Sequence, residues 1–259
     1  MSARWAAVIG HPIAHSRSPA LFARFAAAHG IELRYDAIDV APEVLAETLA
    51  TWRRDPLFVG CNVTLPHKAR ALELADRSED VAHACGAANV LTRAGNALVA
   101  GNTDVAGFER ALASHAVELR GARVAVLGTG GAARAVAAAA RRGGARALAI
   151  AGRDPAAVAR IAHDFAAAPS TLDDVPLSDL YVNATPLGMT GWEQRSLLPA
   201  DAPQGAAAFD LVYTPAATPF LRAALAHGLR AIPGTAMFHA QAAATFAGWF
   251  GVLPPEAVS

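Results

Sequence analysis

Val124-Ala125-Val126-Leu127-Gly128-Thr129-Gly130-Gly131-Ala132-Ala133 decides how this chain folds. The first four residues read as a buried strand, the glycines as a turn, and Arg134 to Arg142 as an Ala-rich helix closed by Gly143-Gly144. Gly128, Gly130 and Ala133 fit G-x-G-x-x-G/A: the first allows the tight turn, the second lets backbone approach a pyrophosphate, and the small third residue lets helix pack on strand. Gly131, Ala132 and Ala133 then open a helix whose free N–H groups face the anion. Ala147 to Ala151 is the next strand, and it ends where a ribose-reading residue belongs. Arg153 stands there. Its planar fork suits a 2′-phosphate and so favours NADP, while the neighbouring Asp154 carboxylate would suit the free ribose hydroxyls of NAD.

Outward from this unit the punctuation alternates strands with helices. Tyr181 to Met189 places polar Asn183 and Thr185 where a parallel strand ends, the edge at which doubly wound sheets bind ligands, and Phe209 to Pro215 repeats the arrangement. Upstream, Ala6 to Ile9, Tyr35 to Val40 and Phe58 to Val63 read as strands. Between them lie a helix opened by Ser18-Pro19 and ended by Gly30, and another over Pro42 to Trp52. Helices near Pro66 to Ala75 and Ser78 to Ala84 lead to a hairpin about Ala94-Gly95-Asn96, and Thr103-Asp104 caps a helix to Ser114. The fold expected is α/β in two domains separated by a cleft. Residues 104–234 would form a Rossmann-like dinucleotide-binding domain, and 1–103 a separate α/β domain.

Composition narrows the partners. With 54% hydrophobic residues in 259, the chain can bury a full core. Lys+Arg and Asp+Glu both count 22, leaving no basic field for nucleic acid or a membrane surface. A small molecule is the expected partner, and the chain a monomer or a homodimer. Met1 to Trp5 runs into a strand without signal-peptide architecture, and no uncharged stretch reaches a membrane span, so cytoplasm is the expected location. Cys61 and Cys85 lie in apolar surroundings and the histidines are scattered, so no metal is expected.

The chemistry gathers in two strips, Asn62-Val63-Thr64-Leu65-Pro66-His67-Lys68 and Gly101-Asn102-Thr103-Asp104. Reducing a ketone needs hydride at carbon and a proton on oxygen. Lys68 is the candidate proton donor and Asp104 its partner and a second ligand for a substrate hydroxyl. A lysine at a helix start faces the positive end of the dipole, a placement that structure alone does not favour.

Taken together, these segments resemble the shikimate dehydrogenase family over nearly the whole chain. The matching strings are Gly10 to Pro19, Asn62 to Lys68, Gly86 to Asn89, Asn102 to Asp104, Gly128 to Ala133, Asn183 to Met189, Asp210 to Pro215 with Thr218-Pro219, and Gln241-Ala242. The resemblance implies NADP-linked reduction of 3-dehydroshikimate to shikimate in aromatic amino-acid biosynthesis. It places Ser16, Ser18, Asn62, Thr64, Lys68, Asn89, Asp104, Tyr213 and Gln241 around the substrate. On the cofactor side it places Gly128, Thr129, Gly130, Gly131, Ala132, Ala133, Arg153, Asn183, Thr185 and Met189. It also implies that a C-terminal helix, roughly Ala236 to Phe250, folds back onto the first domain, so that residues 1–103 plus 235–259 would form the substrate-binding domain.

Such a substrate independently wants these groups. Ser16 and Ser18 suit a carboxylate, although Ser18 before Pro19 also suits a helix cap. Asn62 and Asn89 can each donate and accept, as ring hydroxyls do. Family members usually carry Asn at His11, Gly at Val105, Ala at Thr129, and Asn-Arg-Thr where Gly152-Arg153-Asp154 stands. The last departure leaves open an NAD-using quinate/shikimate dehydrogenase. A non-catalytic dinucleotide-binding regulator is the other alternative, and the presence of both Lys68 and Asp104 speaks against it.

Overall fold

The computed structural model describes residues 3–255. The chain divides into two compact units, one taking the residues up to Thr103 together with those from Gln241, the other Asp104–Ala240. Residues 235–240, expected with the first domain, thus group with the second.

In the first unit the elements are β1 (Arg4–Gly10), α1 (Ser18–Ala28), β2 (Leu33–Asp39), α2 (Leu45–Trp52), β3 (Phe58–Val63), α3 (Lys68–Leu74), β4 (Arg77–Ser78), α4 (Asp80–Cys85), β5 (Val90–Ala94) and β6 (Ala97–Gly101). Their sheet runs β2-β1-β3-β5-β6-β4. β1 is parallel to β2 and β3, whereas β5 pairs antiparallel with both β3 and β6. Ala7, Ile9, Leu45, Leu49, Phe58, Val63 and Leu91 form one buried core, because the apolar residues of β1 and β3 come in runs rather than in alternation. Burial raises the Cys61 thiol far above its usual range, so it stays an inert apolar group.

Two local expectations are corrected. Ser18 is the first residue of α1 rather than its cap; the capping position is Arg17, with no side-chain cap bond, and Pro19 sits in the first turn. The helix from Pro42 begins as a 3-10 turn, Pro42–Val44, before α2 proper.

The second unit holds α5 (Asp104–Ser114), β7 (Arg123–Leu127), α6 (Gly131–Arg142), β8 (Ala147–Ala151), α7 (Pro155–Asp164), β9 (Ala168–Ser170), β10 (Leu180–Asn183), β11 (Ala207–Asp210), α8 (Pro219–Ala226) and β12 (Arg230–Ile232). The sheet order β12-β11-β10-β7-β8-β9 is parallel throughout. Counted from β7 it is the 3-2-1-4-5-6 order of dinucleotide-binding sheets, with the reversal of strand order between β7 and β10.

The last helix, α9 (Gly234–Phe250), contributes its residues from Gln241 onward to the first unit. There Phe246 packs edge-on to Phe25 at 5.6 Å, and Trp249 Nε1 donates to Thr92 Oγ1 at 3.1 Å. The expected return of the C-terminal helix onto the first domain is therefore observed. No helix of the described residues is long and apolar enough to cross a membrane.

Candidate active site

Three segments of the first unit are stitched into one polar strip. β3 carries Asn62, 6% exposed, to its carboxyl end. The chain then turns: Thr64 N donates to Ile9 O at 2.8 Å and His67 N to Thr64 O at 2.9 Å, through a cis Leu65-Pro66 bond. His67 is buried and committed, its Nε2 lying 2.7 Å from Val40 O. Lys68 follows as the first residue of α3, and its carbonyl accepts from Ala88 N at 2.8 Å. Asn89 O accepts from Val63 N at 2.7 Å, and Asn89 Oδ1 accepts from Thr103 N at 2.7 Å. Asn102 Nδ2 closes the strip on Ala87 O at 2.8 Å.

The loop after β1 lies against this turn. His11 N donates to Leu65 O at 3.0 Å, and a Cβ on Gly10 would come within 2.6 Å of Thr64 Cγ2, so only glycine admits the approach. Ser16 Oγ accepts from Ser18 N at 3.3 Å, and Ser18 is buried. Ser16, Ser18, Asn62, Thr64, Lys68 and Asn89 all lie in the first unit, and the segment beginning at Gln241 belongs to the same unit. Asp104 opens α5 in the second unit directly after Thr103, with 5% of its surface exposed. Tyr213 is also in the second unit, stacked on Phe238 at 4.5 Å.

The glycine loop of the second unit has the form expected of an anion cradle. Gly128 sits at φ +130°, and a Cβ there would lie 2.8 Å from Ala184 O. Gly130 precedes α6 in extended backbone with open space where its side chain would be; no side chain caps the helix and its first turn has no acidic residue. Ala133 is fully buried, as helix–strand contact requires. Gly128→Ala is expected to cost about 1–3 kcal/mol from the left-handed backbone and the clash with Ala184, read by chemical denaturation.

Around the ribose end, Asp154 Oδ1 accepts from Ala156 N at 2.9 Å as the cap of α7, whereas Arg153 is exposed. Two of the family departures are physically coupled here. A Cβ at Gly152 would come within 2.8 Å of Thr129 Cγ2, so threonine in the glycine loop and the missing side chain after β8 accommodate one another.

Asn183 and Thr185 face inward on each other. Asn183 Oδ1 accepts from Thr185 Oγ1 at 2.6 Å, and Asn183 Nδ2 donates to Asp210 Oδ1 at 2.9 Å. Asp210, fully buried, also accepts from Val212 N at 3.0 Å and Thr218 Oγ1 at 2.5 Å. Burial pushes its carboxyl up to about 6 against these three donors. Sequence reasoning missed this network, and it missed Tyr35, Thr103 and Thr245 behind Asn62 and Asn89. Their partners are too distant along the chain for any local pattern to show them.

Fold and loops together define a dinucleotide-dependent oxidoreductase of two α/β units. The family model for the shikimate dehydrogenase substrate binding domain matches residues 8–91. Over 256 residues the chain is 41% identical to the shikimate dehydrogenase (NADP(+)) of Acidiphilium cryptum, covering 97% of this chain and 92% of that one. It is 42% identical over 254 residues to that of Mesorhizobium japonicum, covering 95% and 90%. Among solved structures, shikimate 5-dehydrogenase from Thermus thermophilus in complex with NADP(H) and shikimate is similar at 39% identity and a TM-score of 0.89, covering 97% of this chain and 95% of that one. The chain belongs to the shikimate dehydrogenase family.

Proposed function

We propose that this chain catalyses the reversible NADP-dependent reduction of 3-dehydroshikimate to shikimate, as an oxidoreductase of aromatic amino-acid biosynthesis acting in the cytoplasm. The observation that carries the reading is the stitched strip that fixes Asn62, Thr64, Lys68 and Asn89, on a chain 41% identical to an enzyme named for that reaction. The first unit, with the segment that α9 returns to it, binds the substrate, and the second binds the dinucleotide. Ser16 and Ser18 take the carboxylate; Asn62 and Asn89 take ring hydroxyls, with Thr64, Tyr213 and Gln241 completing the shell. Buried hydroxyls without such partners would cost about 1–3 kcal/mol each.

The residues present fit NADP. The uncapped start of α6 suits a pyrophosphate, and with Asp154 Oδ1 turned to the cap of α7, the exposed Arg153 reads the ribose end. Gly131, Ala132 and Met189 line the rest of the cofactor path, Ala133 serves it by letting α6 pack close on β7, and Asn183 and Thr185 act there by holding the loop after β10. When bound, NADPH supplies the hydride. Lys68 gives its proton to the carbonyl oxygen as charge develops there and recovers it in the reverse direction. Asp104 orients the ammonium and accepts from the substrate hydroxyl.

Absorbance of reduced nicotinamide, followed with shikimate or quinate and with NADP⁺ or NAD⁺, tests the reading. Shikimate with NADP⁺ is expected to be the fastest pair, and no reduction with any pair would remove the enzyme reading. Arg153→Ser is expected to weaken NADPH binding by about 10–100-fold, the scale of a lost charge-assisted hydrogen bond, with far less effect on NADH. Equal losses in fluorescence titrations of the two cofactors would refute that role.

A further inference from the structure

The two amides assigned to the ring hydroxyls are joined behind the site by one hydrogen-bonded chain. Tyr35 OH donates to Asn62 Oδ1 at 2.8 Å, and Asn62 Nδ2 donates to Thr245 Oγ1 at 3.2 Å. Thr245 Oγ1 lies 3.0 Å from Thr103 Oγ1, 142 residues away along the chain. Backbone fixes the direction at the far end. Thr103 N–H can only donate, and its partner at 2.7 Å is therefore the oxygen of Asn89, which makes Asn89 Nδ2 the donor to Thr103 Oγ1 at 3.0 Å. Having accepted from Asn89, the Thr103 hydroxyl lies 3.0 Å from Thr245 Oγ1 and 3.3 Å from Asn89 Oδ1, and either threonine can donate to the other. Asn62 and Thr103 thus meet on a single hydroxyl carried by α9. Thr245, Asn62 and Asn89 are 2%, 6% and 3% exposed, so water competes little for these bonds.

We propose that Thr245 is a positioning residue for substrate recognition: by accepting from Asn62 and bonding to Thr103 at once, it sets the amide edges that Asn62 and Asn89 present to the substrate. The inference rests on the reading of those two asparagines as substrate groups. With Tyr35 on its oxygen and Thr245 on its nitrogen, Asn62 keeps one N–H and one lone pair, the complement of a hydroxyl that both donates and accepts. Without the Thr245 oxygen, Tyr35 is left as the side-chain anchor of the amide, and its nitrogen edge is no longer held.

Thr245→Val keeps the shape and removes the acceptor. It is expected to raise KM for shikimate about 5–30-fold, with kcat within about threefold, because binding common to ground and transition states is lost. The Kd for NADPH stays unchanged, and Thr245→Ser restores KM to within about twofold, since the hydroxyl returns. Tyr35→Phe keeps the ring stacked on Phe22 at 4.1 Å, removes the other anchor of Asn62, and is expected to raise KM in the same direction. A lowered melting temperature with KM unchanged in Thr245→Val, or a serine variant as impaired as the valine one, overturns the positioning role. If the valine variant does not fold, an unchanged KM in Thr245→Ala, which also lacks the hydroxyl, overturns it instead. Asn62→Ala separates the two possible failures. A raised KM there beside an unchanged one in Thr245→Val removes Thr245 alone, whereas an unchanged KM in both removes the substrate reading beneath it.

Discussion

Lys68→Ala is expected to lower kcat by about 10²–10⁴-fold, with a much smaller change in KM, the pattern of lost acid–base catalysis. The backbone around Lys68 is fixed by groups other than its side chain: its own carbonyl accepts from Ala88 N, and the preceding His67 is anchored on Val40 O. Truncation should therefore leave Asn62 and Asn89 where they are, and with them most of the binding. Lys68→Arg sharpens the test. Arginine keeps the positive charge but holds its proton throughout the accessible pH range, so a proton donor is lost while electrostatic attraction remains. If Lys68 acts by proton transfer, the arginine variant falls with the alanine one under saturating shikimate and NADP⁺. Near-full turnover in Lys68→Arg would recast the residue as a purely electrostatic partner, and near-full turnover in Lys68→Ala would take it out of the mechanism.

The reach of the sequence differed between elements for physical reasons. β3 was readable to both ends because an apolar run stops at polar Asn62-Val63-Thr64, and β7 because Gly128 follows Leu127 at once. The hairpin of β5 and β6 showed through its Ala94-Gly95-Asn96 turn. β4, β9 and β12, two or three residues long, are too short to carry a periodicity, and edge pairing within their own sheets makes them strands. Ser18 before Pro19 fits a cap pattern one residue too late, because the cap position is Arg17 and only backbone angles distinguish the two. In the candidate site, residues identified by type were readable, whereas those acting through long-range partners were not. Nothing near Thr245 in sequence reports that Asn62 lies 3.2 Å from it. Asn183 illustrates the converse: a polar residue at a strand end is expected to face a ligand, yet both ends of its amide are taken by Thr185 and Asp210.

That last network makes a second strong prediction, for stability rather than turnover. Asp210→Ala strands three donors, Asn183 Nδ2, Val212 N and Thr218 Oγ1, in a fully buried setting and is expected to cost about 3–5 kcal/mol. Asp210→Asn behaves differently, since its oxygen still accepts from Asn183 and Val212 while its new N–H groups donate to Thr218 Oγ1, which can accept. The carboxyl of Asp210 titrates at about 6 rather than the ordinary 3.8, so folding favours its protonated form. That preference is fully present below 3.8 and is lost as pH rises through about 6. At about 1.4 kcal/mol per pH unit, the window between the two values corresponds to a change on the order of 3 kcal/mol. The stability of the wild type relative to Asp210→Asn should accordingly fall by about that amount as pH rises from below about 4 to about 7. Hydrogen-exchange protection of the buried Val182 and Phe209 amides, on β10 and β11, reads this within the second unit alone. A difference between the two proteins that stays constant across the window would mean that Asp210 is held ionised in the folded chain, with its three donors outweighing its burial.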